Sequence, residues 1–148
     1  MSIGNLITDI DPNPSLGNAV GRKTLDLAAD GLQGTKTLFT ITGTVLVRLC
    51  AICSESLVGA TGTISVGISG ATASIIALTT ATDIAANEIW HDATPDSAIE
   101  SVSVLGEYII TGSNNIIATI AVADLTDGIL QFYCFWEALG DGSTIIAA

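Results

Sequence analysis

A single histidine, His91, stands in the run EIWHDATPD with Asp92 and Asp96 beside it. A histidine oriented by a carboxylate and set against a serine is the arrangement of a nucleophilic triad. No serine here lies in a nucleophile-elbow pattern, and Ser69, next to Gly70, reads as part of a hairpin turn. A zinc site needs several His or Cys ligands that converge. The three cysteines are Cys50, Cys53 and Cys134. Cys50 and Cys53 have CxxC spacing but lie in VLVRLCAIC, which reads as a strand. Strand positions three apart point to opposite faces, which disqualifies the two as a shared ligand set or a redox pair. An odd number of cysteines also leaves no complete disulfide framework. Buried free thiols, and synthesis in a reducing compartment, fit best.

The carboxylates offer little more. Asp124 and Asp127 in ADLTDG, and Asp141 with Gly142, resemble oxygen-rich turns. Calcium takes six to eight oxygens, often several from one short loop, and neither run has that density, so both read as turn chemistry. An acid pair of the glycosidase type would want aromatic platforms for sugar rings, and the chain has three Phe, two Tyr and two Trp. No GxxxxGK[ST] loop occurs. The expectation is a protein that is not an enzyme, with no catalytic, cofactor-binding or metal-binding residues.

The elements behind these residues read as strands. The 148 residues suit one domain. Apolar residues make up 49% and charged residues 13%, with Ile, Val and Thr abundant and helix-favouring Lys, Arg and Glu scarce. Ile64, Val66 and Ile68 alternate with polar or small residues, as do Val102 and Val104. Ile116, Ala118, Ile120 and Val122 share one face, and so do Leu130, Phe132, Cys134 and Trp136. Turn signals at Thr42-Gly43, Gly59 to Gly62, Ser69-Gly70, Gly112 to Asn114 and Asp127-Gly128 separate the runs. This predicts an all-β, antiparallel β-sandwich, jelly-roll-like, of eight or so strands over residues 36–148. A short helical turn is expected near Leu25 to Ala29, and another within TDIAAN, capped by Thr82 or Asp83. Residues 1–35, with DPNP at Asp11 to Pro14, read as an extended N-terminal arm or lead-in. Met1 to Asp11 has neither a basic nor an apolar leader region, so no secretory signal is expected. Ser56 to Thr82 carries no charge, but Gly, Ser and Thr break every apolar run, which is strand behaviour and not that of a membrane span.

The formal net charge of −11 argues against nucleic acid and anionic lipid as partners, and Arg22-Lys23 is the sole basic pair. Thr44 to Ile52 is almost continuously apolar apart from Arg48, and SIIAL runs from Ser74 to Leu78. A lone sandwich leaves one face of each sheet to solvent, so these strands call for a second covering surface.

TLFTITGTVLVRLCAI, ISVGISGATASIIALTTATDIAANEIWHD and ILQFYCFWEAL resemble segments of small virion proteins from tailed-bacteriophage structural gene clusters. The resemblance spans about Lys36 to Ala148. It implies a capsid decoration (cement) protein made in the host cytoplasm and carried on the capsid surface. The implied partner is the major capsid protein or another virion protein, with self-association favouring a trimer over a dimer. It brings no catalytic, cofactor or metal residues. The alternative is a head-fibre or tail-associated carbohydrate- or receptor-binding module, using Trp90, His91 and Asp92, or Trp136.

Overall fold

A computed structural model describes residues 19–148, so residues 1–18 of the expected arm, with DPNP, lie outside the described residues. From Ala19 the chain is already in a sheet. β1 (Ala19–Asp26) runs antiparallel to β10 (Asp127–Ala138) over eight positions, from Ala19↔Trp136 to Asp26↔Ile129. The lead-in expected to reach residue 35 thus contains a strand from Ala19 onward. Its Gly21, Lys23 and Thr24 gave the alternation little apolar signal to read.

The turn expected near Leu25 to Ala29 forms as α1 (Leu27–Asp30), where Asp26 Oδ1 caps the Ala28 N–H at 3.0 Å. There follow β2 (Gly34–Thr42), β3 (Val45–Val58), β4 (Thr63–Ile68) and β5 (Ala71–Thr80). Next come β6 (Glu88–Trp90), β7 (Asp96–Ser97), β8 (Tyr108–Ile110), β9 (Ile116–Ala121) and β11 (Thr144–Ala147). The fold is an antiparallel β-sandwich. One sheet has the order β1-β10-β3-β6-β7, with β8 also paired to β3; the other has the order β11-β2-β9-β4-β5.

The core fills the space between the sheets. Alternation sends Val45, Val47, Leu49, Ala51 and Cys53 of β3 inward, against Leu130, Phe132 and Cys134 of β10. Ile64, Val66, Ile116, Ala118 and Ile120 close it from the other sheet. An extra residue in β2 between Thr37 and Phe39 lets both Leu38 and Phe39 point inward. β5 bulges against β4, and there the Ala71 carbonyl comes so near Gly67 that a Cβ would sit 2.0 Å from it; only glycine fits.

Three local expectations change. Val102–Val104 is a 3₁₀ turn, not a strand, because Ser101 Oγ accepts from the Ser103 N–H and offers the backbone a local alternative to a sheet ladder. Val122 leaves the β9 face: β9 ends at Ala121, and Val122 takes a φ of 71° and is largely exposed. The turn expected in TDIAAN, with Thr82 or Asp83 as cap, forms instead at Ala81–Asp83, with Thr80 before it and no side-chain cap.

Candidate functional site: the outer face of the six-stranded sheet and the His91 cluster

The outward row of β3 is Leu46, Arg48, Cys50 and Ile52, and the first three are half-buried, not solvated. Part of their cover comes from the chain itself. The segment after β7 folds across this face and buries Leu105, and Arg48 Nε donates to Glu107 Oε1 at 2.8 Å. Between segment and sheet lies a groove of about 110 Å³ lined by Cys50, Ile52, Ile89, Val102, Leu105 and Phe135, with Glu100 and Ser101 at one side. The cover is incomplete: Ile52, Val102, Val104 and Ile109 remain substantially exposed, Ile109 at 65%. On the second sheet the SIIAL strand divides, with Ile75 and Ile76 buried and Leu78 at the surface.

His91 leaves the end of β6, and β7 returns beside it through Glu88↔Ser97 and Ile89↔Asp96. Its side chain is only 8% exposed. Nε2 lies 3.4 Å from Asp96 Oδ2 and 3.3 Å from Glu100 Oε2, while Nδ1 faces Asp92 Oδ2 at 3.7 Å. Glu100 is fixed by the Ser101 N–H, which donates to Oε1 at 2.7 Å; that bond, foremost, holds its carboxyl below the usual range. A hydrogen bond shared with Glu100 raises the Asp96 carboxyl. The partners of His91 among the described residues are carboxylates, with no serine hydroxyl beside it. Asp92 and Asp96 do converge on His91, as the EIWHDATPD run allows. Glu100 escaped the sequence reading because nine residues through an irregular loop carry no periodic signal.

The remaining expected positions sort by contact. Cys50 faces outward and Cys53 inward, as their spacing requires. Burial pushes Cys50 and Cys53 up to about 11 and Cys134 up to about 12. Asp124 accepts from the Gln33 N–H at 2.8 Å and Asp127 from the Gly128 N–H at 3.0 Å, both serving the backbone of turns. Trp90 is fully buried, edge-on to Phe132 with ring centroids 6.2 Å apart, so it offers no platform to a sugar. Trp136 is partly buried against the core.

No family model matches the chain, and no curated protein does. Among solved structures it is similar to a chain in the acidic stable capsid structure of Helicobacter pylori bacteriophage KHP30. The identity is 11% and the TM-score 0.48, over 86% of this chain and 91% of that one. Within this protein's own geometry, two features stand out from an ordinary sandwich surface. One is an apolar outer face that the chain covers only in part; the other is a buried imidazole aimed at two carboxylates.

Proposed function

We propose that the protein is a non-enzymatic structural component of a phage virion, a decoration protein that docks on the head lattice. The observation that carries this reading is the outer face of the six-stranded sheet, where Ile52, Val102, Val104 and Ile109 stay exposed around an apolar groove. Exposed apolar area of this kind is what a partner surface covers. The net charge of −11 keeps such a protein soluble until it meets its site. The resemblance of residues 36–148 to small virion proteins of tailed phages supplies the partner, the major capsid protein. Only residues 1–18, ahead of β1, are left to the arm; they are proposed to add contacts to a neighbouring subunit, and self-association as a trimer fits three-fold lattice positions. Copies repeated over a lattice then sum modest contacts into firm attachment.

The test is rebinding to capsids that lack the protein, followed by sedimentation. Wild type is expected to saturate at a fixed number of copies per capsid. Ile109→Lys, at an exposed position that should leave the fold intact, is expected to reduce binding at least tenfold. Saturable glycan binding with no capsid binding would overturn the proposal in favour of the carbohydrate-binding reading.

A further inference from the structure

We propose that His91, Asp96 and Glu100 form a binding site for one divalent transition-metal ion of the zinc kind. The inference is independent of the capsid reading. Three ligand atoms from three points of the chain, an imidazole nitrogen and two carboxylate oxygens, all lie within 4.8 Å of one another. Imidazole suits zinc and its neighbours, whereas calcium and magnesium prefer all-oxygen shells.

The distances favour a metal over a plain ion pair. Charge-assisted N–H···O bonds settle at roughly 2.7–2.9 Å. Nε2 instead stands 3.4 Å from Asp96 Oδ2 and 3.3 Å from Glu100 Oε2. Ligands about 2.1 Å from a tetrahedral ion are separated by about 3.4 Å along each edge. The two separations from Nε2 match tetrahedron edges with a common vertex at that atom.

The orientation of the ring agrees. With 8% of its side chain exposed, His91 does not turn its nitrogen to solvent; Nε2 is aimed at the two carboxylates. Its other nitrogen faces Asp92 Oδ2. At 3.7 Å that carboxylate is an electrostatic neighbour of the ring rather than a hydrogen-bonded partner. Three protein ligands, with Asp96 44% exposed, leave a fourth position for water. An ion held there would cross-link the end of β6, β7 and the start of the segment that carries Val102 and Leu105. Occupancy would thus set the shape of the groove on the outer face.

The experiment is titration of the full-length, EDTA-treated protein with Co²⁺ as a spectroscopic probe and Zn²⁺ as competitor. Co²⁺ is expected to bind one equivalent with the intense visible absorption of tetrahedral coordination, to be displaced by Zn²⁺, and to raise the melting temperature. His91→Gln and Glu100→Gln are each expected to weaken binding more than tenfold while melting cooperatively without metal. Cys50→Ser should bind as wild type does, which separates this cluster from the thiols. The absence of a saturable one-to-one Co²⁺ spectrum would overturn the site. So would affinity that survives His91→Gln, or Mg²⁺ competing as well as Zn²⁺, since scattered surface acids would then be collecting the ion.

Discussion

Thr79 sits on an edge strand yet is 2% exposed, and its hydroxyl both accepts and donates, with the Asp92 carbonyl a more distant acceptor at 3.4 Å. Oγ1 accepts from the Trp90 indole Nε1 at 2.9 Å and donates to the Ala77 carbonyl at 2.9 Å. Thr79→Val keeps the shape and removes both bonds, leaving a buried indole N–H unpaired. Such a group costs about 1–3 kcal/mol, so urea denaturation should show a stability loss of that size with an unchanged m-value. The thiols make a pH-dependent contribution. Burial raises Cys53 from 9.0 to about 11 and Cys134 to about 12, so the folded chain holds protons that the unfolded chain releases. That stabilisation is complete below about pH 9 and drains away as pH climbs through 11 to 12. The melting temperature of Cys134→Ala should therefore fall less steeply than wild type between pH 9 and 11.5; parallel curves would refute the assignment.

Strand β1 shows what an element contributes beyond its own residues. It pairs with β10 at eight positions and delivers buried Leu25, and α1 behind it delivers buried Leu27. Burying two leucines is worth roughly 3–6 kcal/mol, a large part of the roughly 5–15 kcal/mol that holds a domain together. A chain beginning at residue 19 retains this ladder and is expected to melt cooperatively. One beginning at residue 27 should aggregate or lose its transition in calorimetry. The same strand marks where the sequence was readable. Long strands with regular alternation, β3 and β10 above all, were legible because each sends an apolar row into the core. β6, β7 and β8 have two or three residues each, too few for a period to register. Val102 and Val104 did alternate, but a serine cap decided that segment locally. At the candidate site, Asp92 and Asp96 were visible beside His91, whereas Glu100 arrives only through the pairing of β6 with β7.

At the scale of the whole molecule, the apolar excess has two destinations. Much of it fills the core between the sheets, and the 98–107 segment covers some of the outer row of β3, leaving Ile52, Val102, Val104 and Ile109 for a partner. The order β1-β10-β3 places the late strand β10 between two strands that precede it in the chain. Ala19 must find Trp136, and Val45 must find Ala138. On a ribosome adding roughly 5–20 residues per second, the hundred or so residues between β1 and β10 take on the order of 5 to 20 s. For the later part of that interval, once β3 has been made, its inner row has no β10 to meet, and the nascent chain carries its core face open to its neighbours. Closure of the sandwich is a late event timed by translation, and the early strands have to wait for the one that completes their sheet.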